Sequence, residues 1–156
     1  MKFGLMFSNT GMGSTAAGAT DLAQRAEAAG IESLWTVEHT VVPSGYQSAY
    51  PYDASGKMAG GAETFDLPDP LVWLAYVAAK TERIKLATGI LILPQRNPLI
   101  AAKEIATLDT MSGGRVLLGV GAGWLQEEFE AIGVPFTDRG QRLDDAIEAL
   151  RALWST

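Results

Sequence analysis

The feature that most constrains this chain is a fourfold alternation of short apolar runs with segments of helical periodicity. Residues 2–7, 33–37, 84–93 and 115–120 are strand-sized and nearly continuous in apolar character, the third run most of all. Runs of that kind, alternating with amphipathic helices, imply a parallel sheet covered by helices. The first helix is predicted to start at a cap on Ser14 or Thr15 and to reach about Ala29, where Gly30 supplies the left-handed position and Ile31 its apolar contact. Asp69-Pro70 and Asn97-Pro98 each join a capping side chain to a proline at the first helical position. Leu71, Leu74, Ala75 and Ala78 mark the buried stripe of the second helix, and Ala101, Ile105, Leu108 and Met111 that of the third, which Gly113-Gly114 ends. A short helical turn around Phe129 precedes a last helix over 139–154, with Leu143, Ala146, Ile147, Leu150 and Leu153 facing inward. The order is βα four times. Arg83-Ile84-Lys85-Leu86-Ala87-Thr88-Gly89 also aligns with Arg115-Val116-Leu117-Leu118-Gly119-Val120-Gly121 one unit later. Such a repeat suits a barrel, with an open doubly wound sheet as the alternative.

Residues 40–67 break the pattern with several Gly and Ser, little periodicity and three tyrosines, Tyr46, Tyr50 and Tyr52. A stretch this long inside a compact domain is a functional loop or a disordered one. At 156 residues, 47% of them hydrophobic, the chain is expected to form a single domain, 1–156, with that loop inserted after the second strand. It has no cysteine, so disulfides and thiolate zinc sites are excluded. No apolar run approaches the ~20 residues of a membrane span. The apolar start, ending at Ser8-Asn9-Thr10, is too short for a signal peptide, so a cytoplasmic protein is expected. The net charge of −6 argues against a nucleic-acid partner.

Parallel α/β folds place ligands at the C-terminal ends of their strands. Those ends are Ser8-Asn9-Thr10, Glu38-His39, Gly89-Ile90 and Gly121-Ala122-Gly123-Trp124. His39 is the sole histidine and shares a strand face with Trp35 and Val37. It suits acid–base work or a hydrogen bond to an anionic ring atom, and equally a structural bond at a strand end. No second His or Cys is present to share a transition metal with it. Gly119-Val120-Gly121-Ala122-Gly123 invites a dinucleotide reading, but Trp124 stands where the fingerprint needs its last glycine, and no P-loop exists. The tyrosines either line an apolar pocket or pack the loop over its own rings or against another copy, the second reading being slightly favoured.

Several motifs together carry a family resemblance. Leu86-Ala87-Thr88-Gly89-Ile90-Leu91-Ile92-Leu93-Pro94 with Arg96-Asn97-Pro98 resembles the third strand and helix cap of luciferase-like oxidoreductases. Leu108-Asp109-Thr110-Met111-Ser112-Gly113-Gly114-Arg115, then Gly119-Val120-Gly121, resembles their next turn and strand. Glu127-Glu128-Phe129, Gly133-Val134-Pro135-Phe136, Arg139-Gly140, Arg142, Trp35, Glu38-His39 and Tyr50-Pro51-Tyr52 extend the likeness over essentially the whole chain, nearest to the probable F420-dependent group.

The resemblance implies the N-terminal (βα)4 half of a (βα)8 TIM barrel, with parallel strands and outer helices. It implies hydride transfer between coenzyme F420, or FMN as the alternative, and a small organic substrate. Carried over, His39 and Glu38 are the catalytic residues. His39, Thr88, Gly89, Ile90, Gly121, Ala122 and Gly123 contact the cofactor, with a non-proline cis peptide at Gly89-Ile90, and Tyr46, Tyr50 and Trp124 line the substrate pocket. Two departures stand out. Trp124 occupies a position where some deazaflavin dehydrogenases have a catalytic carboxylate. Full barrels run to ~250 residues, with phosphate loops after strands seven and eight. The chain is therefore expected to need a C-terminal half or self-association, and Arg96 or Lys103 would have to meet a polyanionic ligand. The alternatives are a non-catalytic half-barrel fragment and a small ligand-binding α/β domain.

Overall fold

The computed structural model describes residues 1–58 and 63–155; residues 59–62 of the predicted loop lie outside that range. Four strands, β1 (Gly4–Leu5), β2 (Ser33–Thr36), β3 (Lys85–Ile92) and β4 (Val116–Gly121), pair in parallel and in chain order. The helices are α1 (Ala16–Ala28), α2 (Pro70–Ala78), α3 (Pro98–Met111), α4 (Gln126–Ala131) and α5 (Arg139–Trp154). A doubly wound sheet reverses its strand order at a switch point; this one does not, so the open-sheet alternative is set aside. The internal repeat equates Ile84 with Val116, yet the ladder pairs Leu86 with Val116. That two-residue offset is the stagger that tilts strands in a closing barrel. The fold is α/β and consistent with half of one.

Local chemistry explains most boundaries. Thr15, not Ser14, caps α1 by accepting the Gly18 N–H at 3.1 Å, behind a 3₁₀ turn over Gly11–Ser14. At the other end Gly30 sits at φ 77°, its N–H donates to Glu27 O and the Ile31 N–H to Ala26 O, closing the C-cap. Gly113 and Gly114 close α3 in the same way, on Thr110 O and Asp109 O. Asp69 and Asn97 each accept two first-turn N–H groups ahead of Pro70 and Pro98.

The core lies between sheet and helices, where Leu34, Leu86 and Leu91 meet Leu74, Val77, Ala101, Ile105, Ala146 and Leu150. Three expectations need correction. Ala75 is exposed, and Trp73 and Val77 occupy the stripe instead, with the Trp73 indole N–H donating to Gly13 O at 2.7 Å. Met111 is 82% exposed because it ends α3 beyond the sheet. Leu153 is likewise about half exposed, on the last turn of α5. The first strand is also shorter than its apolar run: only Gly4 and Leu5 pair, and Phe7 turns the chain out of extended geometry at φ 58°. Among the described residues, no helix is long and apolar enough to cross a membrane.

Candidate active site

Between β3 and β4 the ladder shifts register from Thr88 to Leu91, and the Gly89–Ile90 peptide bond is cis. Thr88 fills the break. Its hydroxyl donates to Gly119 O at 2.7 Å and accepts the Gly119 N–H at 3.0 Å. Wholly buried in this way, Thr88 supports the bulge and is not among the residues that line the cavity above it, where a cofactor contact was expected of it. The bulge also depends on small residues. A Cβ on Gly119 would lie 2.3 Å from Thr88 O, and one on Gly89 about 3.1 Å from the Trp35 indole.

Above the bulge, at the C-terminal ends of the strands, lies a cavity of about 540 Å³. Its walls include Val37 and His39 after β2, Gly89 and Ile90 of β3, Gly123 and Trp124 after β4, and Tyr50 and Tyr52 of the long loop. Phe7, which turns the chain in the left-handed region at φ 58°, closes the β1 side. Behind it Asn9 clasps three segments together, accepting the Val37 N–H and donating to Val37 O and Pro68 O.

His39 is oriented by a residue that strand-end reasoning missed. Its Nδ1 lies 3.0 Å from Oε2 of Glu128, a carboxylate with no solvent exposure. Oε1 of Glu128 accepts the N–H groups of Thr40 and Val41. The neighbouring Glu127 holds the next stretch of the loop, accepting the Gln47 and Ser48 N–H groups and the Ser48 hydroxyl. The Ser48 hydroxyl and these backbone donors pull the Glu127 carboxyl down to about 2. Consecutive glutamates of α4 thus tie both ends of residues 40–48. In the sequence they stood out only as part of the family-like stretch Glu127-Glu128-Phe129, with no role assigned, because a helix after β4 is not a strand end.

Glu38, expected beside His39 as a catalytic carboxylate, is committed elsewhere. It accepts the Ile92 N–H and pairs with Arg96, which also meets Asp69 and lies 3.8 Å from Glu104. Burial pushes the Glu38 carboxyl up from its ordinary range, against the pull of Arg96. Glu38 therefore fastens the end of β3 to β2, although part of it reaches the cavity wall. Held by carboxylates, Arg96 is not positioned to receive a polyanion. Lys103 is exposed on α3 and forms no part of the wall.

Tyr46 also departs from expectation. It is buried, its hydroxyl accepts the Met58 N–H at 3.1 Å, and the Lys57 ammonium sits 3.8 Å above its ring. It backs Trp124 edge-on at 5.6 Å and does not line the cavity, so for Tyr46 the loop is folded over its own aromatic. Trp124 is the hub, with Tyr50 at 5.1 Å and His39 at 5.7 Å. Gly121 and Ala122 stand outside the wall, Gly121 because a Cβ there would strike the Ile90 side chain at 2.7 Å. Gly123 does line it, at φ 81°, where a Cβ would collide with Phe129 and Ile92.

The luciferase-like monooxygenase family model matches residues 1–156. An uncharacterized protein of Mycobacterium bovis is 38% identical over 155 residues, covering 99% of this chain and 54% of that protein. F420-dependent glucose-6-phosphate dehydrogenase of Kineococcus radiotolerans is 35% identical over 139 residues, covering 86% and 36%. Among solved structures, the monooxygenase RslO1 from Streptomyces bottropensis superposes with a TM-score of 0.72 at 31% identity, covering all of this chain and 44% of that one. The chain thus spans about half the length, or less, of the relatives it matches. With in-order parallel strands, a bulged third strand and a full-length family match, the chain belongs to the luciferase-like monooxygenase family.

Proposed function

We propose that this chain supplies the ring-binding half of an oxidoreductase site that transfers hydride between coenzyme F420 and a small organic substrate. The observation that carries this reading is the cavity of about 540 Å³, which brings His39, the bare Gly89–Ile90 backbone and Trp124 to one opening. Its volume lies in the range of small-molecule and cofactor sites, and its walls are mainly apolar and aromatic, which fits a flat tricyclic ring. Gly89 and Ile90 would lie along that ring, Gly123 and Trp124 beside it, and His39 would share a hydrogen bond with it or with the substrate. When bound, the deazaflavin supplies the hydride chemistry. The residues of this chain position the reactants, exclude water with Tyr50, Tyr52 and Trp124, and hold a proton at His39.

The cavity fits the ring better than the anionic tail. Among the described residues its wall carries Glu38 and Asp66, with His39, Tyr50 and Tyr52, but no lysine or arginine, and Arg96 is occupied by carboxylates. In this proposal the phosphate is therefore met by groups outside this wall, from a C-terminal half or a second copy, in a cytoplasmic enzyme. Fluorescence-quenching titration of the complete protein with F420 and with FMN tests the assignment. Tighter binding of F420 is expected; tighter FMN binding reassigns the cofactor, and binding of neither removes the proposal. The half-length match favours one second reading, a half-barrel with no activity by itself, for which no bound cofactor would survive dialysis.

A further inference from the structure

His39 and Glu128 lie 89 residues apart in the chain, and the fold joins them through Nδ1. We propose that Glu128 is a positioning residue that holds His39 as its Nδ1–H tautomer and so presents Nε2, without a proton, to the cavity. Glu128 lies in the first turn of α4. Its carboxylate is fully buried, and both oxygens are used: Oε1 by the N–H groups of Thr40 and Val41, Oε2 by the imidazole. An ionised carboxylate only accepts, so Nδ1 must be the donor. Each neutral imidazole carries one N–H, which leaves Nε2 as an acceptor.

The ring is confined as well as polarised. Its side chain is 12% exposed, and the Trp124 ring meets it edge-on at 90°. A turn of the imidazole that brought Nε2 to Glu128 would need the indole to move, and Trp124 is itself held by Tyr46 and Tyr50. Among the described residues, Nε2 makes no hydrogen bond. The consequence is a statement about ligand chemistry. While His39 is neutral, the atom it meets in the cavity is a donor, such as a hydroxyl or ring N–H, and not a bare carbonyl oxygen. That consequence rests on the cavity being the reaction site proposed above; the tautomer does not.

The test uses the fact that His39 is the sole histidine, so the full chain has one imidazole spin system. Long-range ¹H–¹⁵N correlation at a pH where the ring is neutral should show a protonated, pyrrole-like Nδ1 and a pyridine-like Nε2. Glu128→Gln should reverse this. The glutamine carbonyl will stay with the two backbone donors, its NH₂ will face Nδ1, and Nδ1 must then accept. A wild-type spectrum with the proton on Nε2, or a Glu128→Gln spectrum unchanged from wild type, overturns the proposal. If Glu128→Gln does not fold, the wild-type spectrum alone decides. Failure of F420 to bind would remove the proposed function and leave the tautomer result standing.

Discussion

Glu38 and His39 are adjacent in the chain, yet their carboxylate and imidazole belong to separate networks: Glu38 joins Ile92 and Arg96, and His39 joins Glu128. Two consecutive residues at one strand end thus divide the labour of fastening and of chemistry. Removing the fastener should be costly. Glu38→Ala leaves the buried Ile92 N–H without its acceptor and Arg96 without its most buried partner, which should destabilise the fold by about 3 kcal/mol. Urea unfolding measures it, and a loss below about 1 kcal/mol would show that the carboxylate does not hold β3.

The contrast also marks what could be read from the sequence. Strands, caps and helix stops followed from local rules, because Asp69, Asn97, Gly30 and Gly113 act on groups a few residues away. Strand-end reasoning located the cavity, since Val37, His39, Gly89, Ile90, Gly123 and Trp124 line it. It failed where the deciding partner is distant or the face is ambiguous. Glu128 reaches His39 from a helix, Thr88 turns into the ladder break, and Tyr46 turns behind Trp124. None of these contacts leaves a periodicity or a spacing to read.

His39 is the residue on which the proposed chemistry turns. In the complete enzyme, His39→Ala should lower turnover by roughly 10²-fold, the scale of a lost acid–base group, while the circular dichroism spectrum stays native. Substrate KM should change little. Turnover within a few-fold of wild type would assign His39 to structure alone.

Glu127 makes loop attachment sensitive to acid. Its folded value of about 2 lies below the ordinary carboxylate range, so the bonds to Gln47 and Ser48 stabilise the loop above pH ~4.5. That stabilisation is lost as pH falls from ~4.5 through 2. Hydrogen exchange at the Gln47 and Ser48 amides should accelerate over this window beyond the intrinsic pH trend. Ser48→Ala removes the largest contribution and raises the folded value, so the low-pH end of the window should move up while its start stays in place; a low-pH end unchanged by the substitution would dismiss the link.

Gly119 tests the bulge. A methyl group there meets backbone, Thr88 O at 2.3 Å, and backbone cannot swing aside as a side chain can. Gly119→Ala should therefore part β3 from β4 and break both Thr88 hydroxyl bonds, costing about 3 kcal/mol or more. Thermal denaturation reads the loss. A variant as stable as wild type would mean that the two strands are not held at this separation.

The last prediction concerns the sheet edges. Among the described residues β1 pairs only with β2, and β4 only with β3, so each presents an unpaired row of backbone groups. Near β1, Phe3, Met6 and Phe7 are each more than half exposed, and Leu117 on β4 is 38% exposed. Open edges beside apolar side chains recruit partners, and neither strand carries the proline or internal charge that blunts an edge. A two-fold axis along the strands would set β4 of one copy beside β1 of the other and keep all eight strands parallel. Such a pair would cover both edges, but each half would repeat the same acidic and aromatic wall around its own His39. The expected outcome is a chain that self-associates yet captures cofactor poorly. Light scattering at micromolar concentration checks the first part, and a well-behaved monomer would refute it; stoichiometric capture of F420 by this chain alone would refute the second.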